Sequence, residues 1–172
     1  IADNSGRSSG LLKAAGGGDV VKVGSVTASS GTTFDIDGYF TSDYKFYKLA
    51  FRGITSDNTG SHIYARLLVG GSVDSGSSYG GQFTRSYTDP TPSNQEGYYG
   101  DNDSTTSWKI GQGEAITNAV DEGGACGWIN IYDPLSTAKY KPITWFYGHQ
   151  SAGTEMQSLM GFALYRNTNA VS

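Results

Sequence analysis

His62 and His149 are the only two imidazoles in the chain, so any proton transfer by histidine near neutral pH rests on one of them. His62 opens a run in which Ile63, Ala65, Leu67 and Val69 alternate, which sends His62 to the opposite, solvent side. His149 follows Trp145-Phe146-Tyr147-Gly148 at a strand end, a place for loop or interface contacts rather than general-base work. Serines are plentiful, but a nucleophilic triad needs Ser, His and an acid gathered from loops, and the sequence predicts no nucleophile elbow. No catalytic residue is assigned, and no enzyme activity is expected.

Metal and phosphate chemistry have little to work with. Asp35-Ile36-Asp37-Gly38 and Asp101-Asn102-Asp103-Ser104 each offer two carboxylates to Ca²⁺, but neither continues into the glutamate pattern of an EF-hand. Their ordinary use is turn chemistry, in which Asp and Asn side chains bond their own backbone. One cysteine, Cys126, and two scattered histidines do not make a zinc set. Cys126 lies in Gly124-Ala125-Cys126-Gly127-Trp128 and is expected to be a buried small apolar residue. Gly16-Gly17-Gly18 precedes a strand, whereas a phosphate cradle precedes a helix. No cofactor and no metal are therefore expected.

The aromatic residues are a stronger signal. Tyr79, Tyr87, Tyr98 and Tyr99 fall in a polar middle section rich in Ser, Gly and Asn, a composition that suits a surface for carbohydrate or protein. The same tyrosines could equally fill a core or a subunit seam. Tyr98-Tyr99, between Glu96-Gly97 and Gly100-Asp101, stands open between the two uses.

The elements that must position these residues are strands. Charged residues are 16% of the 172, with 25 glycines and 12 tyrosines, a composition that favours strands and turns over helices. Strands are expected at Val20–Val26, Thr33–Phe40, Tyr44–Thr55, His62–Val69, Glu114–Val120, Gly127–Tyr132, Ile143–Tyr147 and Leu159–Tyr165, with weaker ones at Gln82–Tyr87 and Thr106–Ile110; the second, third and fourth show the period of two of a strand with one buried side. Tyr47, Leu49 and Phe51 fall on one face of the third. Gly70 to Gly113 otherwise reads as long polar loops. The expected fold is all-β, a single antiparallel β-sandwich of jelly-roll type over residues 20–172, preceded by an extended N-terminal arm, residues 1–19. In that arm Leu11-Leu12-Lys13-Ala14-Ala15 sits between glycine-rich flanks; it either lies across a fold, burying the two leucines, or stays loose. A net charge of −4 without a basic stripe argues against nucleic acid. No apolar run approaches the roughly 18 residues of a membrane-spanning helix, and the first residues show no hydrophobic secretory segment.

Phe34-Asp35-Ile36-Asp37-Gly38-Tyr39-Phe40-Thr41-Ser42-Asp43-Tyr44-Lys45-Phe46-Tyr47-Lys48-Leu49 resembles a segment of virion proteins of tailed, largely aquatic bacteriophages, in which a strand leads into Tyr-Lys-x-Tyr-x-Leu. Trp128 to Lys141, with Asp133-Pro134-Leu135 inside it, is similar to that family's strand and Asn/Asp-Pro-Leu corner. The arm Gly10 to Gly18 is similar to the N-termini of such proteins. The resemblance implies a virion-surface role, as a head decoration or knob protein or as part of a tail fibre, and carries over no active site. Because members close with a further strand pair, C-terminal strands are expected to be missing after Ser172.

The leading expectation is thus a non-enzymatic capsid decoration protein, a homotrimer that contacts the major capsid protein or other virion proteins through Leu11, Leu12 and one apolar β face. A second reading is the receptor-binding head of a tail fibre, with Tyr98, Tyr99 and Trp108 meeting host glycans. A third is a secreted carbohydrate-binding module. Neither nucleic acid nor membrane is an expected partner.

Overall fold

The computed structural model describes residues 20–27, 31–33, 35–56, 61–88, 95–110, 116, 123–151 and 155–172, and of residues 95–104 the backbone alone. Among them there is no helix and there are ten strands: β1 (Phe46–Ile54), β2 (Tyr64–Ala65), β3 (Leu68–Val69), β4 (Ser72–Val73), β5 (Tyr79–Thr88), β6 (Gln95–Thr105), β7 (Trp108–Lys109), β8 (Ala125–Tyr132), β9 (Lys141–Gln150) and β10 (Met156–Tyr165). Six form one open antiparallel sheet in the order β1-β8-β9-β10-β5-β6, while β2–β7 and β3–β4 are two-stranded ribbons. The all-β class expected from the sequence is the class observed.

Strand β9 shows why the sheet forms. Lys141, Ile143, Trp145, Tyr147 and His149 are buried, and the residues between them are half-buried, the period of two that a central strand imposes. Register carries the pattern sideways, so that Leu49, Ile129, Trp145, Gly161 and Phe83 form one row across five strands. Buried against this face are Leu67, Trp108, Ile110, Ile116 and Val171, with Ile63, Ala65 and Val69 partly buried beside them. Tyr79 and Trp108 meet edge to face at 4.6 Å.

Tight corners fix the register. The β3–β4 turn uses Gly70 and Gly71 at φ of 58° and 76°, the two successive positive values of a hairpin that follows strand twist. After β8 the chain turns at Asp133, the one described non-glycine residue at positive φ. Its amide donates to Lys45 O at 2.6 Å and its carboxylate pairs with the Lys45 ammonium at 3.1 Å. Pro134 behind it is buried, and its carbonyl accepts the Val171 amide at 3.0 Å.

Several expectations are corrected. Residues 20–27 and 35–40 carry no strand; all ten strands fall within the compact unit Phe40–Ser172. Alternating apolar residues supply one face of a strand, but a strand also needs a hydrogen-bonded neighbour, and Val20, Val23 and Val26 stay exposed. The run His62–Val69 is split into β2 and β3 because the Leu67 amide bonds the Tyr79 hydroxyl, at 3.1 Å, instead of an adjacent strand. The polar middle section holds β5 and the eleven-residue β6; an edge strand needs little apolar alternation, and context overrides poor β propensity there. The expected strand Glu114–Val120 lies outside the described residues except Ile116, which bridges to Ser151.

Candidate functional site

The residues suspected of chemistry are not brought together. His149 is not in a loop but inside β9, buried on the core face, with its ring 4.8 Å from that of Tyr147; even residue spacing from Lys141 puts it there. His62 is half-buried rather than fully exposed. Cys126 is exposed, not buried, since its neighbour Ala125 takes the inward position of β8. Asp35 and Asp37 are exposed, and Asp37 accepts the Gly38 amide at 2.7 Å, which is turn chemistry. Asp101 lies not in a turn but in β6, as the backbone partner of Gln82. Among the described residues no three His, Cys, Asp or Glu side chains are grouped to hold a metal ion, and no helix is long and apolar enough to cross a membrane. The pattern Gly76-Ser77-Ser78-Tyr79-Gly80 satisfies Gly-x-Ser-x-Gly, a match the sequence reading missed. Here it runs into β5, so the strand-to-helix turn that would present its serine is absent at this point.

Leu11 and Leu12 lie outside the described residues. Tyr98 and Tyr99 are in β6 as partners of Arg85 and Thr84. Trp108 is only 3% exposed, which removes it from any glycan-facing surface. A crevice lined by Ala65, Trp108, Ile110, Ile129, Ile143 and Trp145 is apolar and about the size of one water, too small for a substrate.

One corner is polar. The Lys141 ammonium, fully buried, donates to Asn167 O at 2.7 Å and Asn169 O at 2.6 Å. Beside it the Tyr165 hydroxyl donates to the Asp74 carboxylate, which also accepts from the Asn167 side chain at 3.2 Å and the Gly76 amide at 2.8 Å. Burial works to raise the Asp74 carboxyl, but these hydrogen bonds prevail and hold it below the ordinary range. Burial pushes the Lys141 ammonium down, against a smaller upward pull from Asp133. The polar atoms named here bond one another, so the cluster ties the C-terminal segment down, with Lys141 and Tyr165 buried beneath the half-buried Asp74 and Asn167.

The other face of the large sheet is different. Its central row is Ala50, Trp128, Phe146, Met160 and Thr84; the next is Lys48, Asn130, Thr144, Phe162 and Gln82; and Phe46 pairs with Tyr132 at one end. Met160 is 62% exposed, Phe46 48% and Phe162 45%. Trp128 and Phe146 stack at 6.3 Å, Lys48 lies 4.8 Å over the Trp128 ring, and Asn130 donates to the Thr144 hydroxyl at 3.0 Å. Sequence reading anticipated one buried face per strand; the signal it passed over is that β8, β9 and β10 place large apolar residues on both faces. Scattered apolar residues are ordinary on a surface, but a contiguous patch marks a place where another molecule packs. The candidate site is this open face.

Comparison of the chain with family models, with characterised proteins and with solved structures gave no match in any of the three.

Proposed function

We propose that the chain is a non-enzymatic structural protein of a bacteriophage particle, a decoration protein on the head shell that associates with itself and with other virion proteins. The observation that carries this is the open sheet face, where Phe46, Met160 and Phe162 stand exposed around Trp128 and Phe146. A flat sheet face that sets exposed aromatic and aliphatic side chains among polar ones such as Asn130, Thr144 and Gln82 suits a protein partner better than a small substrate. The corner at Asp133-Pro134-Leu135, one of the points of resemblance to virion proteins, supports the reading by having a physical job in holding β8 to the C-terminal segment. On the same reading the fold is a lopsided jelly-roll sandwich, with the six-stranded sheet as one layer and the two ribbons as a reduced second layer.

Antibody labelling of intact particles under the electron microscope tests it. Regular labelling over the head is the expected result. Labelling at the tail tip would favour the receptor-binding alternative, and particles free of label would overturn the structural role.

A further inference from the structure

We infer that the open face is the seat of a second copy of this chain, packed sheet on sheet about a two-fold axis that runs parallel to the strands. This names the partner of the surface described above and rests on the reading of that surface as one covered by protein.

The size of the face is right. Five strands about 4.8 Å apart and about eight residues long at ~3.4 Å each cover roughly 24 by 27 Å in plan. Corrugation by side chains raises the accessible area above that plan area, to near the roughly 800 Å² that one partner contributes to a standard interface. Two such faces packed with strands aligned repeat a familiar layer arrangement.

Charge then selects the axis. Edge strand β1 contains Lys48 and Arg52 and no carboxylate. The opposite edge strand, β6, contains no cation; its Asp101 lies in the backbone row of Lys48, Asn130, Thr144, Phe162 and Gln82, whereas Glu96, the partner of Tyr87, falls in a row of the other face. Between them, the residues of β8, β9, β10 and β5 that share the open face with Trp128, Phe146, Met160 and Thr84 carry no charge. A two-fold axis along the strands lays β1 of each copy over β6 of the other, basic over acidic twice. An axis across the strands lays β1 on β1 and β6 on β6, like on like. The face is therefore complementary to itself in one orientation, and the interface is isologous. Growth by edge-to-edge strand addition is disfavoured on the β1 side, because the register of β1 to β8 shifts between Phe51 and Ile54, with Gly53 at positive φ, an irregularity that spoils a flat edge, and the strand carries two cations. A two-fold pair is a different assembly from the homotrimer expected from the sequence, and the mass of the species in solution distinguishes them.

Sedimentation velocity of the full chain over a wide concentration range is the test. The expected species has twice the 18.2 kDa chain mass. Met160→Glu and Phe162→Ser, at exposed positions, should each abolish the dimer while leaving the circular dichroism spectrum unchanged, with the thermal midpoint lowered to that of the wild type diluted to monomer and no longer dependent on concentration. A double reversal, Lys48→Glu with Arg52→Glu, should sediment as a monomer, as should Asp101→Lys with Asp103→Lys. Mixing the two reversed proteins should restore a dimer. A wild-type monomer or trimer, a dimer that survives Met160→Glu, or a mixture that stays monomeric would each overturn the pairing. A monomer that still decorates heads would sink the pairing and leave the structural role standing; a dimer absent from particles would support the pairing and sink the role.

Discussion

The six-membered ring of Trp145 fills the space above Gly161, its register partner on β10, so that a Cβ at position 161 would collide with Cζ2, Cε2 and Cη2 of the indole. Trp145 is 2% exposed and sits between Ile129 and Gly161 in the core row. Gly161→Ala, which raises intrinsic strand preference, should nonetheless destabilise by about 1–3 kcal/mol, the usual cost of overpacking. Thermal denaturation measures it, and an unchanged midpoint would mean that the indole is free to move aside.

Lys141 holds the end of the described chain. Its ammonium bonds the carbonyls of Asn167 and Asn169, and just beyond them Val171 bridges to Val69 while the Ser172 amide donates to Leu68 O at 2.9 Å. Lys141→Met keeps the apolar stem and strands two carbonyls, each orphaned group costing about 1–3 kcal/mol where water cannot reach it. The expected outcome is a destabilised protein whose Val171 and Ser172 amides exchange hydrogen faster than before. Unaltered exchange at those amides would show that the segment is held by its other contacts alone.

What the sequence made legible was governed by period and composition. Tyr47, Leu49 and Phe51 were placed on one face from spacing alone, and the structure has Tyr47 buried with the other two packed against the core. Two-residue periodicity says nothing about a second apolar face, however, so Trp128, Phe146, Met160 and Phe162 passed as ordinary strand residues. β6 was hidden for a related reason, since Gln95 to Thr105 has the composition of a loop and owes its strand to pairing with β5. Trp108 was misassigned to a surface because neighbouring Ser, Thr and Asp are polar, while Tyr79 and Tyr165, distant in sequence, enclose it at 4.6 and 6.1 Å. Burial of that kind is a tertiary property.

Asp74 should contribute an acid limb to stability. Its carboxyl is held below its ordinary value of about 3.9 by accepted hydrogen bonds that outweigh burial. A depressed folded-state value means that the unfolded chain binds the proton first as pH falls. The contribution is then complete above the ordinary value and is lost as pH drops through the lower, folded one. Asp74→Asn should be less stable than the wild type at neutral pH, and the gap should close in acid. Chemical denaturation of both proteins across that window checks it, and a gap independent of pH would assign the effect to shape rather than charge.

Three buried tyrosines set the alkaline limit. Burial raises the hydroxyl of Tyr147, with a smaller push from Cys126. Burial likewise raises Tyr165, reinforced by its bond to Asp74 and that group's charge, and raises Tyr79 against the hydrogen bond from the Leu67 amide. In the unfolded chain these hydroxyls ionise near an ordinary value of about 10, while in the fold they stay neutral, so the folded state binds more protons there. Their contribution is whole below that value and declines as pH rises toward the raised ones. Lys141 and Lys109, both lowered by burial, act in the opposite sense, but below their ordinary value of about 10.4, a window that lies mostly beneath that of the tyrosines. A spectrophotometric titration should show part of the tyrosine signal ionising late, in step with loss of the near-ultraviolet circular dichroism. If all twelve tyrosines ionise together near the ordinary value with the fold intact, these three hydroxyls are not enclosed as described.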